Sequence, residues 1–378
     1  MTAKLLQYAL TALGVMVALS PIILIHEFGH YIVCRLVGIR VLEFSFGFGK
    51  VLWSKKKGHT QYSIRAIPFG GFVNPAGEMF VDADKPKPEP HEFASQKWYK
   101  KLAMVVSGAF MNYVLAFVIF AGLAFFVGAP SGDASKIPAV IDVVIENMPA
   151  AKAGVLENDK ILTINGSTVN AWSDVVVNVN ENKKDMLLTV DRAGAIVALT
   201  IPLSSFDATG KLGIQVKPLI IKESFFGSIK TGAYQCWYWT KMSITSIYKS
   251  FAQKKAPDLA GPVGIVNIIH KATHSSIVDF IWLVGLLSLA VGMFNLFPVP
   301  ILDGGYAVMF IWEGVVRKPL SEKFVLKTLN VGLVLLVALV LYATTGDVRR
   351  IFFPKKEAAV EAPAQAGAQE TPKAQENN

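Results

Sequence analysis

Cysteine is nearly absent: Cys34 and Cys236 are the only two in 378 residues, which excludes a disulfide framework. Charge is scarce as well, at 17% of residues against 52% hydrophobic. That balance excludes a disordered or wholly soluble chain and leaves room for one modest soluble domain. The 21 residues from Leu5 to Ile25 hold no charge at all, and neither does Leu102 to Pro130. Runs of that length cross a bilayer as helices. The first is too long for a signal peptide and lacks a small-residue cleavage site, so it reads as retained. The formal charge of +9 belongs with membrane flanks and lipid head groups; no nucleic-acid partner is expected.

Within this apolar background, three ionisable side chains arrive together in His26-Glu27-Phe28-Gly29-His30. Placing such groups in or beside hydrocarbon costs on the order of 2–3 kcal/mol each, so a function is the default reading. His26 and His30 are i and i+4, on one face of a helix, where two imidazoles can ligate one zinc ion. Glu27 adjoins the first ligand and can serve as general base, the pattern of a metalloprotease. A catalytic zinc takes three protein ligands, so one more must come from elsewhere.

Four spans are expected, in residues 1–34, 101–130, 280–305 and 324–346. Pro21 is a candidate kink in the first. Between Cys34 and Lys101 there are 12 Lys/Arg against 6 Asp/Glu, whereas 128–225 has 9 against 11. The positive-inside rule puts the first loop in the cytoplasm and the 128–225 region outside. The Arg349-Arg350 and Lys355-Lys356 pairs pull mildly the other way. Residues 35–100 alternate and are aromatic, from Val41 through Gly49 and on to Phe69-Gly70-Gly71-Phe72-Val73, which predicts a small membrane-associated sheet with Gly and Lys runs as its turns. Asp82 to Pro90 reads as a loop. Residues 221–279 form an amphipathic interfacial segment with Trp237, Tyr238 and Trp239. Residues 306–323 are expected to be a cytoplasmic loop, and 347–378 a disordered tail.

Residues 131–220 carry the soluble domain. Strands are expected at Ala139–Ile145, Lys160–Ile164, Leu187–Val190 and Ile196–Ile201. The stretch Pro149-Ala150-Ala151-Lys152-Ala153-Gly154-Val155 through Asn165-Gly166 resembles the short helix, acidic turn and strand of a PDZ domain. Such domains capture peptide ends by adding a strand to a sheet edge. A PDZ fold serving only as a steric plug is equally compatible with these residues.

The third apolar run ends Asn295-Leu296-Phe297-Pro298-Val299-Pro300-Ile301-Leu302-Asp303-Gly304-Gly305. Asp303 is the only charge near it and needs a partner at that depth. The two-histidine site needs a third ligand, and Asp303 supplies it. Pro298 and Pro300 forbid a regular helix and free backbone groups there. Asn295 offers an amide to a substrate strand or a developing oxyanion.

Taken together, these motifs resemble the site-2 proteases, most nearly the bacterial regulator-of-sigma-E type of intramembrane zinc metalloprotease. The resemblance runs from Leu5 to about Ile351. It implies a polytopic α-helical membrane protein in a bacterial inner membrane, with one zinc, an external PDZ domain and an active site towards the cytoplasm. It implies single-span substrates already trimmed by another protease, such as an anti-sigma factor or a signal-peptide remnant. Phe69 to Val73 corresponds to the β-loop that supports extended substrate, and Gly261-Pro262-Val263-Gly264-Ile265 to the segment leading to the third span. Two features depart from the pattern: there is room for one PDZ domain rather than two, and Gly108-Ala109-Phe110-Met111-Asn112 has Ala109 where such proteins often have proline. A membrane-anchored peptide adaptor or a metal-permeation protein could reuse the same cluster, but neither needs Glu27.

Overall fold

A computed structural model describes residues 2–77, 88–131, 133–182, 184–206, 211–253, 260–318 and 320–352. The 353–378 part of the expected tail and the 82–87 part of the expected loop lie outside them. The described residues divide into two compact units, one from 2–124 and 225–352, the other from 125–224.

The first unit begins with α1 (Thr2–Val37), continuous through Pro21. A proline this far inside an apolar helix frees one carbonyl, which neighbouring helices can tolerate. Strands β1 (Val41–Lys57) and β2 (Thr60–Pro75) follow as one long antiparallel hairpin. The Lys55–Lys57 run, expected as a turn, is strand; the turn falls at Gly58-His59. Gly47, Gly49 and Gly70 lie inside the strands at positive φ, where side-chain-bearing residues are strained, and let the ribbon bend. As a result β2 folds around β1: Phe44 pairs with Tyr62 on one side and Val73 on the other, and Ser45 with Ser63 and Phe72. The 71–75 part of β2 is thereby an edge.

Helix α2 (Trp98–Phe126) is the second apolar helix. Its backbone passes close to α1, where a Cβ on Gly29 would collide with the Ser107 carbonyl. Small residues at such crossings let membrane helices approach closely.

The second unit holds β3 (Ala129–Pro130), β4 (Ile141–Val144), α3 (Pro149–Lys152), β5 (Lys160–Ile164), β6 (Ser167–Thr168), α4 (Trp172–Glu181), β7 (Met186–Arg192), β8 (Ala195–Ile201), β9 (Ile214–Val216) and β10 (Ile220–Ile221). A four-stranded sheet has the order β6-β5-β7-β8, with β4 paired to β9 and β3 to β10. Ile141, Ile161, Ile164, Met186, Leu188 and Ile201 fill its core. The expected strands are present with small shifts; α4 has no counterpart in the sequence reading. The acidic turn has a structural job. Asp159, fully buried, accepts from the Leu156 N–H and pairs with Arg192 at 2.7 Å.

Back in the first unit come α5 (Phe225–Ala252) and α6 (Pro262–Thr273). Trp237 is exposed, as an interfacial aromatic should be, but Trp239 packs edge-on against Trp282 instead. His270 meets the Thr11 hydroxyl across 2.7 Å. Helix α7 (Ile277–Asn295) is the third apolar helix. It packs on α2 at Gly292, 2.9 Å from the Ala109 carbonyl if given a Cβ, and through Ser288, which donates to the Asn112 carbonyl.

Two boundaries differ from expectation. The third helix stops at Asn295 rather than 305, because the prolines that follow cannot continue it. Residues expected as a loop from 306 onward form α8 (Asp303–Val316), with Asp303 in its first turn. Ile301 adopts φ +83°, unusual for a β-branched residue, and redirects the chain into α8. Gly304 and Gly305 leave room for the carbonyls of Leu296 and Val299. Helix α9 (Glu322–Phe352) is the fourth apolar helix and leaves most of its apolar side chains exposed, as a lipid-facing helix does. Its Gly332 abuts Pro300, and its Asp347 accepts from the Gly264 N–H at 2.7 Å. The Gly261-Pro262-Val263-Gly264 stretch is therefore a helix start fitted around a carboxylate.

Candidate active site

The histidines lie on α1 one turn apart, both buried. Their Nε2 atoms are 3.2 Å from each other. Asp303, the first residue of α8, puts Oδ2 at 3.1 Å from His26 Nε2 and 3.7 Å from His30 Nε2. These three are the only group of metal-ligating side chains so placed among the described residues.

The protons decide what the cluster is. His30 Nδ1 lies 2.7 Å from the Met104 carbonyl, which can only accept, so Nδ1 carries the hydrogen. In a neutral ring Nε2 is then a bare lone pair aimed at the cluster. Asp303 Oδ2 is buried and accepts no hydrogen bond. Acceptors converging without protons between them repel, and a buried oxygen without a partner is costly. A cation removes both problems, so the residues fit a zinc ion.

α2 forms the roof. Met104, Gly108 and Asn112 recur every four residues on its buried face, opposite His30 and His26. A Cβ on Gly108 would collide with His30 Nε2 and stand 2.7 Å from His26 Nε2. The Asn112 amide lies 3.3 Å from His26 Nδ1, and its Oδ1 has no other partner. With the oxygen turned to the ring, it would accept from Nδ1–H and leave Nε2 free. The sequence reading gave Gly108 and Asn112 no role. The signal that could have found them is their spacing: small and polar residues at i and i+4 in an uncharged span, matching the histidine spacing.

Glu27 points instead to the sheet. Its Oε2 accepts from the Val73 N–H across 3.1 Å. Val73 pairs with Phe44 on its other side, so this N–H belongs to the outer edge of β2. The strand is fastened to α1 a second time, where the Ser20 hydroxyl donates to the Pro68 carbonyl at 2.6 Å. Of Phe69 to Val73, only Val73 bonds to the cluster's glutamate. Gly71 and Phe72 pair with Phe46 and Ser45 inside the sheet, Gly70 bends it, and Phe69 is exposed. Asn295 ends α7, one turn beyond Gly292 at the α2 crossing, while Pro298 and Pro300 form the connector to Asp303.

Four helices long and apolar enough to cross a membrane, with two histidines, a carboxylate and an adjacent glutamate, define a multi-pass membrane protein of the metallopeptidase class. Residues 14–339 match Peptidase family M50. An inferred zinc metalloprotease of Clostridium perfringens is 30% identical over 344 residues, covering 90% of this chain and 98% of that one. Zinc metalloprotease RasP of Bacillus licheniformis is 25% identical over 424 residues, with 90% and 99% covered. The regulator of sigma-W protease RasP of Bacillus subtilis is 25% identical over 422 residues, with the same coverage. The chain belongs to peptidase family M50, the site-2 proteases, and is a zinc metalloprotease.

Proposed function

We propose that this protein hydrolyses peptide bonds within or near the transmembrane segment of single-span membrane proteins that another protease has already shortened. His26, His30 and Asp303 hold the zinc and Glu27 is the general base. The observation that carries the reading is the Val73–Glu27 hydrogen bond, which ties the base to a sheet edge able to take an extended peptide.

Zinc in this site supplies Lewis acidity, polarising a peptide carbonyl and making water easier to deprotonate. Glu27 takes a proton from the attacking water and returns it to the leaving amine. A transmembrane helix keeps its peptide bonds inside its own hydrogen bonds, so the substrate must unwind first. The Gly71–Asn74 edge offers replacement backbone partners, and the Asn295 amide steadies the peptide at the connector side. His30 is held in its ligating tautomer by Met104, and His26 is oriented by Asn112.

The second unit is a PDZ domain that either captures trimmed ends or screens out bulky substrates. Its short helix, acidic turn and aliphatic strand support this. The loop charge asymmetry supports an external second unit and a cytoplasm-facing site in a bacterial inner membrane. A sigma-regulating name among the relatives supports an anti-sigma factor as substrate.

The test is cleavage of a trimmed single-span substrate in detergent by the native protein and Glu27→Gln, with zinc assayed in both. The reading requires equal zinc and cleavage by the native protein alone. Cleavage by the variant, or by neither, overturns it.

A further inference from the structure

We propose that the pocket where α1 leaves the membrane binds the phosphate of an anionic phospholipid headgroup. Arg35, Arg40, Lys57, His59 and His91 line it, and among the described residues no acidic side chain does. Arg35, Arg40 and Lys57 put three cations around one concavity, and these repel each other unless an anion sits between them. His91, one of the lining residues, is already paired with Glu89 at 2.9 Å. Arg35, Arg40 and Lys57 have no carboxylate partner among the described residues.

The frame is built. Arg40 donates its backbone N–H to the His91 carbonyl at 3.0 Å, and the Ala76 N–H donates to the Arg40 carbonyl at 2.7 Å. Tyr31 and Tyr62, also in the lining, join hydroxyls across 2.6 Å. That contact uses one of the two hydrogens, so the other can reach a phosphate oxygen.

Position selects a lipid over a soluble anion. The apolar α1 ends at Val37, so Arg35 to Val41 lie at headgroup level, beside the exposed Leu36. Basic pockets at this level suit anionic headgroups, each nearby Lys or Arg strengthening the attraction. A headgroup gripped there would join the end of α1 to the Lys57-Gly58-His59 turn, and so brace the sheet that carries Val73. The site stands whether or not peptide cleavage is the chemistry.

The experiment is native mass spectrometry of the full zinc-loaded chain, from micelles with equal phosphatidylglycerol and phosphatidylcholine. The expected result is preferential retention of phosphatidylglycerol, weakened about fivefold for each basic group removed. Arg35→Gln with Arg40→Gln should abolish the preference. Lys57→Gln, on an exposed strand end with no folding role, should reduce it by one such step. Millimolar inorganic phosphate should leave the lipid in place. Equal retention of the two lipids, unchanged preference in both variants, or displacement by phosphate would each overturn the proposal.

Discussion

The Val73 backbone N–H reaches Glu27 Oε2 across 3.1 Å, so a strand edge and a would-be base hold each other in place.

From this contact, Glu27→Gln should keep the fold and the zinc, because an amide oxygen still accepts from Val73. Turnover should fall about 10²- to 10⁴-fold, the range of general acid–base catalysis. Zinc loss in this variant would show that Glu27 is needed for the ligand set instead.

Asn112→Ala removes the partner of His26 Nδ1, at a site with no exposure. Zinc affinity, measured by competition with a chelator, should drop about 10- to 100-fold. Unchanged affinity would mean that the ring is oriented by packing alone.

Gly108→Ala and Gly122→Ala differ in one atom's surroundings. At Gly108 the methyl meets the Nε2 atoms of both His30 and His26; at Gly122 it meets nothing within 4 Å. The first should lose zinc while the helix content stays constant, and the second should match the native protein.

Asp159→Asn tests the acidic turn of the second unit. Burial raises the Asp159 carboxyl, but Arg192 and the Leu156 N–H outweigh it and hold the group below its usual range. A depressed folded value stabilises above the unfolded value of about 3.9 and is lost as pH falls through the folded one. Hydrogen exchange in β5 and β7 of the full chain should be faster in the variant at pH 7. The difference should begin to close as pH falls below about 4 and be gone only below the depressed folded value; a gap that shows no narrowing below about pH 4 would point to lost packing rather than charge.

If the second unit screens by size, a substrate with its bulky outer domain intact should be cut far more slowly than the trimmed one. Equal rates would leave the unit without that role.

By itself the sequence determined the long apolar helices, the strand-rich loop and the His26–His30 face, because hydropathy and the 3.6-residue period act locally. That Asp303 would lie beside the histidines was readable because a lone charge near an apolar span demands a partner. Tertiary structure alone decided the rest. Gly108, Asn112 and Met104 act on α1 only through a close helix crossing. Helix α8 was hidden by the two prolines and the strained Ile301 before it. The doubling back of β2 around β1, which turns Val73 toward Glu27, depends on glycine bends inside strands. Contacts of this kind join residues far apart in sequence through a single hydrogen bond or a missing methyl, and neither leaves a periodic trace.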